Sequence, residues 1–311
     1  ATFNRCRPIN DRPSESPSDP IPCAPSEASL PCSHRPEPVV VNPRQKNVLC
    51  PNAALTVDMS QAPAIHTFTD AQELTRAAAG LFLEVGKQAI AERNRFLVAL
   101  SGGSTPKALY SILANDKYAQ QLNWSKVHFL FGDERSVPPT HADSNFAMAN
   151  AILFSPLHIP SAQIHRMRGE DPPETAAAQY ETTLRHLTTA VPGQWPRLDL
   201  VLLGMGDDGH TASLFPGTAS LTEQTRWVVP STSPQGTRAR VTLTLGVINH
   251  ASVILFLVAG RNKAAVVRRV LEQRPGDPGP YPAALIRPET GRLLWYLDRA
   301  AASELTATTD D

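Results

Sequence analysis

Five short apolar runs set the limits on what this chain can fold into. They are FLVAL (residues 96–100), VHFLF, LDLVLLG (residues 198–204), VILFLVA and LLWYLD. Each is too short for a buried helix and nearly free of polar residues, the pattern of a strand covered on both faces. Between them lie stretches with helical spacing of apolar residues. Asp70 precedes AQELTRAAAGLFLEVGKQAIAERN and can cap it. PKALYSILA carries Pro106 in a first turn, and residues 143–153, residues 174–190 and NKAAVVRRVLE also read as helices. WVVP and VTLTL are further strand-like segments. This alternation predicts an α/β fold, a mostly parallel twisted sheet with helices on both faces. In such sheets ligands bind beyond the carboxyl ends of the strands. Three polar, glycine-rich segments fall there: GGSTP, GDER and GMGDDGH. Their meeting at one edge of the sheet is the main structural expectation.

Composition bounds the partners and the domain organisation. Lys and Arg number 29 and Asp and Glu number 29, so nothing in the charge balance points to a nucleic-acid or membrane partner. No run approaches the roughly 18 apolar residues of a membrane span. The four cysteines, Cys6, Cys23, Cys32 and Cys50, all lie in a Pro/Ser-rich stretch with no zinc-site spacing. Residues 1–60 therefore read as a disordered extension, residues 61–306 as one folded domain and residues 307–311 as a tail. The stretch from Met59 (MSQAPAIHTF) reads as the expected natural start, with residues 1–58 as an addition to it.

The loops carry the chemistry. Gly102 and Gly103 let the backbone of SGGSTP curl towards a ligand. The free N–H groups of the helix that follows favour an anion, and Ser104 and Thr105 add hydroxyl donors. A phosphate cradle and a capped tight turn both fit this segment. The lysine of a nucleotide triphosphate loop is missing. Gly204-Met205-Gly206-Asp207-Asp208-Gly209 fits G-x-G-x-x-G, yet Asp207 and Asp208 would repel a pyrophosphate. His210 precedes TASLF, expected to open a helix. A helix N-terminus disfavours imidazolium, which leaves a neutral ring able to act as a general base. Asp208 is close enough to orient that ring, and a purely structural histidine is the other reading. Arg135 of GDER can stabilise an oxyanion, and Asp133 can hold Arg135 or a hydroxyl. Asn145 can reach a ligand, and Asp143 can cap the helix FAMANAILF. Arg240 and Lys263 stand where either could reach an anion beyond a strand end. No Cys/His spacing or H-E-x-x-H supports a metal among Asp133, Glu134, His141, Asp207, Asp208 and His210.

Taken together, ALSGGSTPKALYSILA, VHFLFGDERSVPPTHADSNFAMANAILF, LDLVLLGMGDDGHTASLFPGT, RVTLTLGVINHASVILFLVAGRNKAAVV and TGRLLWYLDRAA resemble the 6-phosphogluconolactonase family. The likeness covers roughly residues 65–302 in the family's order. It implies the fold of glucosamine-6-phosphate deaminases and ribose-5-phosphate isomerases. It implies a cytoplasmic carboxylic ester hydrolase that opens 6-phospho-D-glucono-1,5-lactone in the pentose phosphate pathway, with no cofactor and no metal. The functional links would be to glucose-6-phosphate dehydrogenase and 6-phosphogluconate dehydrogenase. Carried onto this chain, His210 resembles the catalytic histidine, with Asp208, Asp133 and Arg135 beside it. Gly102, Gly103, Ser104 and Thr105 resemble the phosphate loop, with Arg240 and Lys263 as basic partners. Asn145, Gly204 and Gly206 complete the expected substrate contacts. The deaminases resemble D-G-H-I-A-F-N-E-P at this loop. Here Phe215-Pro216 replaces that Asn-Glu-Pro, and no carboxylate follows until Glu223. A catalytically dead sugar-phosphate sensor would be expected to have lost His210 or Arg135, and both are present. N-terminal sequencing of protein from the native source is expected to read from Met59; a native chain beginning well upstream would remove that start.

Overall fold

Every one of the five apolar runs becomes a strand of one parallel sheet. The computed structural model describes residues 63–191, 193–272 and 281–306. The expected extension 1–60, with its cysteines and Met59, and the tail 307–311 lie outside the described residues. The strands are β1 (Ala64–Phe68), β2 (Phe96–Leu100), β3 (Val127–Phe131), β4 (Asp133–Arg135), β5 (Leu200–Leu203), β6 (Val228–Thr232), β7 (Ala239–Leu243), β8 (Val253–Val258) and β9 (Arg292–Asp298). The helices are α1 (Ala71–Arg93), α2 (Ser104–Leu113), α3 (Asp116–Ala119), α4 (Asn145–Ala149), α5 (Pro173–Thr188), α6 (Leu245–Asn249) and α7 (Ala264–Leu271). The main sheet has the order β1-β9-β8-β5-β2-β3, and all its pairings are parallel. A smaller antiparallel sheet has the order β4-β7-β6.

Side-chain alternation divides each central strand between two cores. Phe96, Val98 and Leu100 of β2 pack with Phe82 of α1 and Leu109 of α2. Leu97 and Ala99 point the other way, into the core that holds Tyr180 and Leu184 of α5. β8 does the same: Val253, Leu255 and Leu257 face the first core, while Ile254, Phe256 and Val258 join Val266 and Val267 of α7 in the second. Strands buried on both sides need no polar face, which is why these runs are unbroken. Asp70 caps α1 as expected, accepting from the backbone N–H of Gln72 (2.9 Å) and Glu73 (2.8 Å). Such a cap stabilises a helix by about 1 kcal/mol. Among the described residues no helix is long and apolar enough to cross a membrane.

The structure departs from the sequence reading at four places. β1 is an edge strand, and its mixed AIHTF lacks an apolar run because it is only partly covered. β4 is three charged or acidic residues that become a strand through pairing with β7, not through any apolar pattern. The helix expected over 143–153 is α4 followed by a π-helical turn, Asn150–Phe154, and its cap is Ser144, which accepts from the Ala147 N–H (3.1 Å). TASLF forms no helix. Ala212 lies at φ 48°, Thr211 bridges Leu214, and the Thr211 hydroxyl donates to the Gly204 carbonyl (2.9 Å), so the segment folds back on itself before Pro216.

One half-buried pair couples stability to pH. His128 of β3 and His165 stack, with Nδ1 and Nε2 3.1 Å apart. Burial, and secondarily the charge of His128, push His165 down to about 4; burial and then Arg95 also push His128 down. The unfolded rings take up protons first as pH falls below about 6.5, so the folded state loses stability from there down to about pH 4. Urea unfolding measured from pH 7 to pH 4 should show a midpoint that falls with pH, and His165→Gln should flatten that fall. An equal slope in both proteins would remove this pair as its source.

Candidate functional site

The chain leaves β2 towards β3 and leaves β5 towards β8, in opposite directions across the sheet. β2 and β5 are neighbours, paired through Val98–Leu200 and Ala99–Val201. Their carboxyl ends therefore open the crevice at which such sheets bind ligands. SGGSTP leaves β2 there, and GMGDDGH leaves β5. Tyr110 of α2 clamps the first loop: its hydroxyl accepts from the Ser101 N–H (3.0 Å) and donates to the Ser101 carbonyl (2.8 Å). Gly103 sits at φ 103°, a conformation that favours glycine, and no side chain caps α2 behind it. The α2 N-terminus is thus left open to an anion. Gly102 has a different reason to be glycine: a Cβ there would lie 2.1 Å from Asn145 Oδ1.

The antiparallel sheet brings the arginines. In its register Arg135 of β4 lies opposite Arg240 of β7. Burial, then the neighbouring Arg135 charge, push the Arg240 guanidinium down from its usual value. Two loops hold the pair in place. Arg135 donates to the Asp143 carbonyl, Arg240 Nε donates to the Thr237 carbonyl (2.7 Å), and the Thr237 hydroxyl donates to Asp143 Oδ2 (2.6 Å). Asp143 is therefore part of this clasp and not the helix cap.

Behind Arg135 lies a buried polar network. Glu134 accepts from the Asn145 N–H (2.7 Å), the Arg135 N–H (2.8 Å), the Phe146 N–H (2.9 Å) and the Ser144 hydroxyl (3.0 Å). Burial pushes its carboxyl up, and these bonds oppose the shift. Its place in the molecule is to tie α4 to β4. Asp133 accepts from the Ser213 hydroxyl (2.5 Å) and from Asn145 Nδ2 (3.2 Å), so it holds a hydroxyl and an amide, not Arg135. Arg135 Nε and Asn145 Oδ1 are buried without a hydrogen-bond partner.

His210 projects from the end of GMGDDGH. Because TASLF is not a helix, the helix terminus expected directly after His210 is not formed. The electrostatic partner of the ring is instead Asp208, whose Oδ1 lies 2.5 Å from Nδ1 and accepts from the His210 N–H (3.1 Å). Burial would push the Asp208 carboxyl up, but the imidazole charge and its hydrogen bonds outweigh that and hold it below the usual range. Phe215 packs against the other side, ring centroids 4.5 Å apart. Lys263, in the turn after β8, pairs with Asp207 (Nζ to Oδ1, 2.6 Å).

These groups surround one cavity of about 510 Å³. Gly102, Gly103, Ser104, Thr105, Asp133, Arg135, Asn145, Gly204, Gly206, His210, Arg240 and Lys263 all line it, and Asp208 stands behind His210. Among the described residues no three His, Cys, Asp or Glu side chains converge to hold a metal ion. Sequence reasoning missed Ser213, Phe215, Gln235 and Tyr281. Ser213, Phe215 and Gln235 line the cavity. Tyr281 packs where a Cβ on Gly209 would lie, and Ala283 donates to the Gly209 carbonyl (2.9 Å), which braces the histidine loop from behind. Only the HTAS and FPG context after His210 could have flagged Ser213 and Phe215; nothing near Tyr281 signalled its role.

The comparisons with known proteins converge. The family described as glucosamine-6-phosphate isomerases/6-phosphogluconolactonase matches residues 69–295. The chain is 42% identical over 243 residues to a 6-phosphogluconolactonase of Nostoc sp., spanning 78% of this chain and 98% of the relative. It is 41% identical over 255 residues to that of Homo sapiens, spanning 79% and 96%. The solved 6-phosphogluconolactonase from Trypanosoma cruzi superposes with a TM-score of 0.72 at 31% identity, covering 80% of this chain and 99% of that one.

Gly206 offers a direct test of the histidine geometry. A Cβ at this position would stand 2.1 Å from His210 Nδ1. Gly206→Ala should therefore expel the ring from Asp208 while leaving the fold intact. In ¹⁵N NMR of the histidine side chains, the hydrogen-bonded Nδ1 signal of His210 should be lost with the remaining rings unmoved. An unchanged His210 signal would contradict the packing described.

Proposed function

Because the chain belongs to the glucosamine-6-phosphate isomerase/6-phosphogluconolactonase family, we propose that this site opens 6-phospho-D-glucono-1,5-lactone to 6-phosphogluconate, within the pentose phosphate pathway. One observation carries the reading. The Asp208–His210 pair faces the same cavity as the uncapped α2 N-terminus, Arg240 and Lys263. A base and an anion site share one pocket, which is what a phosphorylated ester requires.

The substrate phosphate docks on the α2 N–H groups and the Ser104 and Thr105 hydroxyls, with Arg240 and Lys263 as counter-charges. Asp208 accepts the Nδ1 proton of His210, which leaves Nε2 as the acceptor. His210 then takes a proton from water as the water oxygen bonds to the lactone carbonyl carbon. Charge that develops on the carbonyl oxygen is met by Arg135. As the bond to the ring oxygen breaks, the imidazolium returns its proton to that oxygen. Arg135 and Asn145 line the pocket beside Asp133 and are placed to meet the sugar hydroxyls. Asp133, through Ser213 and Asn145, holds the floor of the pocket.

The side chains favour this reaction over sugar-amine ring opening. Phe215 stands where the deaminase pattern D-G-H-I-A-F-N-E-P has its carboxylate, and its ring packs on His210. Glu223, the next carboxylate along the chain, accepts from Arg226 Nε (2.8 Å) and the Thr225 N–H (2.8 Å). In the pathway, glucose-6-phosphate dehydrogenase would supply the lactone and 6-phosphogluconate dehydrogenase would consume the acid. Action in the cytoplasm belongs to the same reading.

Those two dehydrogenases also provide the assay. The first generates fresh lactone, and the second reports its opening above the spontaneous background. His210→Ala should cut the catalysed rate by about 10²–10⁴-fold. Arg240→Ala should mainly raise KM. Near-full kcat without His210 would reject it as the base, and no acceleration by wild type would reject the lactone reading itself.

A further inference from the structure

We infer that Asp207 is a positioning residue for phosphate binding: it holds the Lys263 ammonium at the cavity wall before substrate arrives. The inference rests on the proposed role of Lys263 as a phosphate partner. Asp207 belongs to the loop after β5, and Lys263 to the turn after the neighbouring β8. Asp207 Oδ1 lies 2.6 Å from Lys263 Nζ, with a longer contact to Asn262 Nδ2 (3.5 Å). The two side chains differ sharply in exposure. That of Asp207 is 74% exposed, while that of Lys263 is 21% exposed and lines the pocket.

An exposed carboxylate paired in water adds little to stability, so the fold does not need this contact. Its effect falls on the lysine. A free lysine stem samples many rotamers, and an anion must restrict them on binding. With its ammonium anchored on Asp207, Lys263 has already lost that freedom. An ammonium has three N–H donors; one goes to Asp207 and two remain for a phosphate. The next residue, Asp208, holds the imidazole of His210. Two successive carboxylates on one loop thus set both the phosphate-binding cation and the base, which fixes the separation of the two ends of the substrate site.

Asp207 could act in the opposite sense, repelling the phosphate as a like charge. The kinetics separate the two. Asp207→Ala should raise KM for the lactone about five-fold, with kcat within about two-fold of wild type. Asp207→Asn, which keeps an acceptor oxygen, should recover part of that loss. In a Lys263→Met background, Asp207→Ala should change KM no further. Inhibition by inorganic phosphate should weaken in parallel. An unchanged or lowered KM in Asp207→Ala, with KM raised in Lys263→Met, would overturn the positioning role and leave the phosphate site standing. A fall in kcat as large as the rise in KM would also overturn it, since the loop itself would then be disturbed. If Lys263→Met leaves KM unchanged, the phosphate role of Lys263 fails first.

Discussion

Gly132 links the two sheets through its two backbone hydrogen bonds, and the site depends on that. Its N–H donates to the Leu100 carbonyl (2.9 Å), which extends the pairing of β2 with β3 by one residue. Its carbonyl accepts from the Leu243 N–H (2.9 Å), which begins the pairing of β4 with β7. A chain that continued straight would carry Asp133, Glu134 and Arg135 out past the parallel sheet. Because the backbone changes partners at Gly132, those residues instead turn over the carboxyl ends of β2 and β5. Arg135 is brought opposite Arg240 by the same change.

Two buried tyrosines hold the ends of the strands on either side of that point. Tyr110 satisfies both backbone groups of Ser101 from one face of the sheet, and Tyr180 accepts from the Phe131 N–H (2.8 Å) from the other. Strands that diverge leave backbone groups without ladder partners, and a buried group left that way is costly. The hydroxyls take the place of the missing strand. Burial pushes both phenols up from their usual value, so they stay protonated and can donate. Rigid loop bases follow, and the ligand-facing groups need only short reaches from them.

Polar residues at the site divide into those that face the cavity and those that hold them. Glu134 is the clearest of the second kind: a buried carboxylate spent entirely on α4 and the Arg135 backbone. Asp208 orients His210, Asp143 and Thr237 hold the arginines, and Tyr281 braces Gly209. This layer lets an apolar fold carry several charges at one edge without leaving them uncompensated.

Five of the six strands of the main sheet, and the loops that would carry chemistry, are legible in the amino-acid sequence. Unbroken apolar runs such as FLVAL read as strands covered on both faces, and three of them are followed by the polar, glycine-bearing segments SGGSTP, GDER and GMGDDGH. The positions of Gly102, Arg135, Asn145, His210, Arg240 and Lys263 around one cavity follow from that pattern together with the family resemblance. Tertiary structure alone decided the rest. β1 and β4 are strands because of their neighbours, since an edge strand and three polar residues carry no apolar period. TASLF has only a weak helical preference, and the bonds from the Thr211 hydroxyl back to Gly204 and from the Ser213 N–H to Thr242 outweigh it. The pairings Asp133–Ser213, Asp143–Thr237 and Asp207–Lys263 join residues 56 to 94 positions apart. No local pattern encodes such contacts. They exist because the strand order sets the ends of β5 and β8 side by side and because β4 pairs with β7 in the smaller sheet.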